Sequence, residues 1–160
     1  MAIKSGYKKI LFPVLLIAAA VLCALPFLTN SENVIYIYTA RQKPDVAEQK
    51  FIAALKEQGV IVKLNAPAPQ NAALWFRPPE RVDEAVKSPA QYNFIYSEVY
   101  NVFDWRGMKN PPVVLTPHRD LFEHYTRSNL KTALFDIKNS QYAARKFLEI
   151  LNWLKLNSQN

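Results

Sequence analysis

Nineteen consecutive uncharged residues, Ile10–Leu28, constrain this chain more than any other feature of it. At about 1.5 Å of helical rise per residue, such a run matches the roughly 30 Å hydrocarbon core of a bilayer. Lys4, Lys8 and Lys9 precede it, and the first positive charge after it is Arg41. The excess of lysine on the N-terminal side predicts a cytoplasmic tail over residues 1–9, a single transmembrane anchor over 10–29 and a C-terminal domain across the membrane. Pro13 and Pro26 fall near the ends of the run, where a lost hydrogen bond is best tolerated. Two processed forms compete with the uncleaved signal-anchor. One is a signal peptide cut after Ala18-Ala19-Ala20, although the apolar run continues through Val21, Leu22 and Leu25. The other is a lipoprotein modified at Cys23, although Leu22 stands where a small residue is wanted.

About 130 residues follow the anchor, enough for one domain and too few for two. Of the net charge of +7, three charges are the N-terminal lysines, and the rest are spread along the chain. No basic cluster marks a nucleic-acid surface. Cys23 is the only cysteine and lies in the anchor, so the outer domain has neither a disulfide nor a thiolate metal site. With no Asn-x-Ser/Thr acceptor either, the composition leans towards the periplasmic side of a bacterial inner membrane.

Residues 30–33 make a short polar stalk, and 34–157 read as the domain. Val34–Thr39, Val60–Leu64, Ala72–Phe76, Tyr92–Ser97, Val113–Leu115 and Thr132–Phe135 are short apolar, β-branched or aromatic runs, and they predict six strands. Between them lie helical patterns. Ala47, Phe51, Ala54 and Leu55 recur at helical spacing after Pro44-Asp45 and before Gly59. A short helix is expected over Glu80–Val86, and another from Thr116-Pro117, with Thr116 as cap and Leu121, Phe122 and Tyr125 inward. A final helix capped by Ser140 carries Ala143, Phe147, Ile150, Leu151 and Leu154 on one face. Strands alternating with helices, most of them continuous apolar runs, predict a mainly parallel sheet covered on both faces. That is a three-layer α/β, Rossmann-like fold.

The chemistry that such a fold can carry is narrowed by what is missing. Gly6, Gly59 and Gly107 are the only glycines, so no phosphate-cradling loop exists. His118 and His124 are six residues apart and fall on nearly opposite sides of a helix, so they do not share a metal. No serine has the surround of a hydrolase nucleophile. No cofactor is implied. Ligands of open parallel sheets bind beyond the carboxyl ends of the strands, and Arg41, Arg77, Glu98, Thr116, His118 and Arg119 are expected there. Arginine forks and a helix N-terminus favour an anion, so weak binding of a phosphate- or carboxylate-bearing ligand is expected. The bland alternative is that these arginines pair with Asp45, Glu80, Glu98 or Asp120. Tyr100, Phe103 and Trp105, in the loop between Glu98 and Pro112, suggest a sugar-stacking or partner-docking surface, or simply cover for the sheet edge.

Phe94-Ile95-Tyr96-Ser97-Glu98, a loop with Trp105, Pro112-Val113-Val114-Leu115-Thr116-Pro117-His118 and Leu134-Phe135-Asp136-Ile137 together resemble the N-terminal half of GT-B glycosyltransferases. There a strand ending in Glu precedes a strand ending in Thr-Pro-Ser, a helix and a closing strand. The resemblance covers Phe94–Ile137. It implies a Rossmann-like half-domain, with Glu98 as the strand-end acid and Thr116-Pro117 as the Thr-Pro pair. His118 stands where the family has Ser. The sequence departs from the family in two ways: it ends where the nucleotide-sugar domain would begin, and Thr39-Ala40-Arg41-Gln42 replaces the Gly-rich loop.

The expectation is therefore a single-pass inner-membrane protein whose domain is a non-catalytic binding or scaffold module in envelope or exopolysaccharide assembly. Its expected partners are the membrane, an envelope protein and an anionic or sugar ligand. The alternative is a degenerate or partner-completed GT-B-like half-domain. If the anchor stays in place, N-terminal sequencing of the membrane-fraction protein returns Met1 or Ala2, and the protein resists alkaline carbonate extraction. A soluble chain beginning near Val21 or later would exclude the anchor.

Overall fold

The computed structural model describes residues 33–39, 43–78, 81–100 and 105–158. Among the described residues no helix is long and apolar enough to cross a membrane, and the Ile10–Leu28 run lies outside them.

Six strands form one parallel sheet: β1 (Val34–Tyr38), β2 (Ile61–Leu64), β3 (Ala73–Phe76), β4 (Tyr92–Tyr96), β5 (Val113–Thr116) and β6 (Lys131–Leu134). The helices are α1 (Val46–Glu57), α2 (Val82–Lys87), α3 (Arg119–Arg127) and α4 (Ser140–Asn157). In space the strands run β2-β1-β3-β4-β5-β6, all pairs parallel. The α/β class and the parallel sheet read from the sequence are both present. From β1 the chain moves outward to β2, then crosses back over β1 to β3 and continues the other way. The order therefore reverses between β1 and β3, the position where doubly wound sheets open a crevice at their carboxyl edge.

Alternation along each strand sorts the core into two layers. Ile35, Ile37, Ala73, Trp75, Phe94, Tyr96, Val113 and Leu115 join the side chains of α1 and α4 on one face. Tyr36, Tyr38, Leu74, Phe76 and Ile95 face the other layer, with Ala85 of α2 and Met108. Val114 continues that second face under Leu121 and Tyr125 of α3. Helices α1 and α4 pack against each other. Their seam is aromatic: the Phe51 ring lies 5.8 Å from Trp75, 5.8 Å from Phe135 and 5.9 Å from Phe147.

Local signals set the ends of the helices. Asp45 caps α1 in a full capping box: its carboxylate accepts from the Glu48 N–H at 2.8 Å, and Glu48 accepts from the Asp45 N–H at 2.9 Å. Gly59 follows the last turn at φ +78°, a conformation that suits glycine. Two expected caps are corrected. Thr116 is the last residue of β5 and fully buried, and the first intrahelical bond of α3 runs from the Phe122 N–H to the carbonyl of His118, the true cap. The Thr116 hydroxyl instead accepts from the His118 N–H at 3.3 Å, so it shapes the strand-to-helix turn. Likewise Asn139 caps α4, and Ser140 is its first helical residue. The short helix begins at Val82; Glu80 lies outside the described residues.

Phe147 is fully buried against Phe51 and Phe94, the latter at 4.6 Å between ring centroids. Phe147→Ala is expected to cost about 3–5 kcal/mol, read as a lower urea midpoint at an unchanged slope. A loss below about 1 kcal/mol would mean that α4 does not carry the core.

Candidate functional site

The carboxyl edge is where the sequence directs attention, and its centre is Arg77, the residue after β3. Its guanidinium bonds Asp45 Oδ2 through Nη1 at 2.5 Å and Glu98 Oε2 through Nη2. Asp45 opens α1 beyond β1, and Glu98 follows β4. One arginine thus ties together the carboxyl ends of three neighbouring strands. Beneath it the Tyr96 ring lies 5.6 Å away, and the Tyr96 hydroxyl donates to Glu98 Oε1 at 3.4 Å. Thr39, at the end of β1, is latched in a similar way. Its N–H donates to Asn65 Oδ1 at 3.0 Å, and Asn65 Nδ2 donates to its hydroxyl at 3.1 Å. Asn65 follows β2 in the left-handed region at φ +50°, which asparagine tolerates.

The electrostatics follow from this packing. Burial works against the charge of Arg77, but the Asp45 hydrogen bond and the nearby charges of Glu98, Asp45 and Glu48 outweigh it and raise the guanidinium pKa. Burial would push the Asp45 carboxyl up. The Glu48 N–H and Arg77 more than offset that and hold it below its ordinary value. Tyr96 is pushed far up by burial and, secondarily, by the Glu98 charge, so it stays a neutral donor. In an open doubly wound fold, the helix N-terminus beyond β1 is a place for a ligand anion. Here the Asp45 carboxylate accepts from the backbone there, and the adjoining arginine is held by two carboxylates.

The other expected site residues are distributed differently. Arg41 lies outside the described residues. Arg119 has a side chain 84% exposed and pairs with Glu123 on its own helix at 3.4 Å. His118 is exposed at the start of α3, with no side-chain capping bond. Among the described residues no hydrogen bond or ion pair joins Glu98 to His118. The structure therefore brings Arg77 to Glu98 and Thr116 to His118, and does not join the two pairs.

The aromatic loop splits between the two ends of the sheet. Tyr100 lies over α3, its hydroxyl 3.2 Å from Asp120 and its ring 5.1 Å from His124. Phe103 lies outside the described residues. Trp105 sits in a single 3-10 turn, Trp105–Gly107, and packs against both clusters of the second face. It also lines an open groove of about 610 Å³ at the amino edge of β4, β5 and β6. Gln91, Tyr92 and Asn93 form one side of this groove, Asn110 to Val113 another, Asn129 to Lys131 a third, and the end of α4 closes it. Nothing in the sequence marks it. Its residues come from four separated segments, and the only common signal is asparagine or glutamine beside each strand start.

Comparison with protein families, curated proteins and solved structures finds no match to this chain.

The depressed Asp45 pKa carries a linkage. Its stabilisation is fully present above the unfolded value of about 3.9 and is lost as pH falls through the lower folded value. The wild-type melting temperature should therefore drop below about pH 4. Asp45→Asn keeps a competent cap and removes the charge. Because Asp45 is half-exposed, the variant should lose about 1 kcal/mol or less at pH 7 and show a shallower acid decline. Parallel acid curves for the two proteins would mean that the Arg77 pair contributes nothing.

Proposed function

We propose that the chain is a membrane-anchored, non-catalytic binding or scaffold module, with its α/β domain facing the periplasm and working in envelope or exopolysaccharide assembly alongside a protein partner. One observation carries the non-catalytic part: the acid best situated for chemistry, Glu98, is engaged by Arg77 and Tyr96 at the reversal point of the sheet. A general acid or base must reach its substrate proton, whereas this carboxylate serves to join β3 to β4. The anchor and its orientation rest on the Ile10–Leu28 run and its lysine flank.

A second reading, the GT-B-like half-domain, draws support from one feature. Glu98 and Thr116 stand at the carboxyl ends of adjacent strands, as the resemblance implies. Against it, Thr116 is fully buried and its hydroxyl accepts from the turn beside it.

The full-length protein in lipid nanodiscs, incubated with UDP-, GDP- and CMP-linked sugars, separates the two readings. No nucleotide release above that of Glu98→Gln is expected. Release that Glu98→Gln abolishes would overturn the non-catalytic reading in favour of sugar transfer.

A further inference from the structure

The groove at the amino edge has a hydrogen-bonding character that its residue names alone do not reveal. Asn93 is 2% exposed, and its Nδ2 donates to the carbonyls of Ala90 and Asn110, each at 3.1 Å. Asn110 Nδ2 donates to the Ala90 carbonyl at 2.9 Å, and Asn157 Nδ2 to the Trp153 carbonyl at 2.7 Å. A carbonyl only accepts, so each contact fixes which end of the amide faces it. Asn93 spends both of its N–H donors in this way and Asn110 and Asn157 one each, so in all three the amide oxygen is left as an acceptor. For Asn93 that oxygen is buried without a hydrogen-bond partner.

Among the described residues no carboxylate lines the groove, and the one charged side chain there, Lys131, lies over the Trp153 ring at 5.3 Å. Ring surface comes from Trp105 and from Tyr92, whose hydroxyl is paired with Ser158 at 2.8 Å. The exposed Gln91 adds a further amide at the rim. Acceptor oxygens beside aromatic carbon suit a ligand rich in O–H donors with apolar C–H faces. An anion brings acceptors to these acceptors, and Lys131, drawn towards the Trp153 ring, is the one cation among the lining residues that could offset this.

We propose that this groove binds an uncharged saccharide chain. Hydroxyl groups of the sugar donate to the amide oxygens of Asn110 and Asn157 and to Gln91 at the rim, and a sugar face lies on Trp105. A small shift of Asn93 offers its buried oxygen as well. The proposal rests on the domain being a binding module, and names the class of ligand that it takes. A peptide also carries donors, but only one backbone N–H per residue, against several hydroxyls per sugar ring.

The test is calorimetric titration of the full-length protein in lipid nanodiscs, which avoids sugar-headed detergents. The probes are hexasaccharides of glucose and of N-acetylglucosamine, a hexauronate, and an uncharged serine-rich hexapeptide. Micromolar to millimolar binding of at least one neutral hexasaccharide is expected, tighter than hexauronate and peptide. Gln91→Ala and Asn157→Ala, both at exposed positions, should each weaken it at least fivefold with an unchanged circular dichroism spectrum. Trp105→Ala should abolish it. Since Trp105 also packs on the core, the two surface variants decide the outcome if it unfolds. No binding at 5 mM ligand, indifference to both surface variants, or preference for the hexauronate or the peptide would overturn the proposal. Saccharide binding is scored separately from nucleotide release, so failure here leaves the non-catalytic reading intact, and the reverse holds.

Discussion

A parallel sheet of mostly apolar strands has to be covered on both faces, and here the cover on one face is locked by a single ring. Phe51 of α1 touches Trp75 from the centre of the sheet, Phe135 just beyond β6 and Phe147 of α4. These four residues come from the beginning, middle and end of the domain and are all essentially without exposure. Burying each large side chain is worth about 1.5–3 kcal/mol, and edge-to-face geometry adds to that. The lock has a cost, since the Trp75 indole N–H is buried with no acceptor, a penalty of about 1–3 kcal/mol. The domain tolerates it because Trp75 stacks on Tyr96 at 5.9 Å and fills the space between α1 and the sheet.

With the layers fixed in this way, the two ends of the sheet diverge. The carboxyl edge is knitted by side chains: Asn65 to Thr39, Arg77 to Asp45 and Glu98, and the Ser97 hydroxyl to the Val99 carbonyl at 2.6 Å. Each is a bond between the ends of neighbouring elements or a brace within one turn. At the amino edge the polar groups hold the loops together with their donor halves and keep acceptor halves over. The first arrangement stiffens the fold, and the second can meet a ligand.

Most strands were legible because they are dense β-branched or aromatic runs, the exception being β6 with its Lys-Thr-Ala-Leu, and their helical partners because Phe51 and Phe147 recur at helical spacing with Ala54 and Leu151. Caps were less legible. Thr116-Pro117 has the composition of a helix start, yet Thr116 still pairs with Leu134 across β6, so the ladder claims it before the helix does. The partners of Arg77 lie 32 and 21 residues away, and only the strand order brings them to it. Strand ends identify an arginine as a crevice residue; they do not say whether a carboxylate of the chain reaches it first. The groove was not legible, because amides beside strand starts look like ordinary turn residues until the loops fold together.

The groove adjoins one of two connections in which the described residues form no α-helix; the other, β2 to β3, runs at the far side of the sheet through residues 65–72. Between β1 and β2, β3 and β4, and β5 and β6, a helix returns the chain to the amino edge. From β4 to β5 the described part of the connection has only the turn Trp105–Gly107. A helix there would lie over Ile95 and Val114. Trp105 and Met108 supply that cover instead, with Met108 buried and Trp105 packed on the clusters to either side. Among the described residues the chain passes from that turn through Pro111-Pro112 into β5 without a helical end beside it. The α4 terminus at Asn157-Ser158 then faces open space beside the starts of β4, β5 and β6. Cover of the sheet by Trp105 and the wall of the groove thus meet at one turn, and both depend on the same indole.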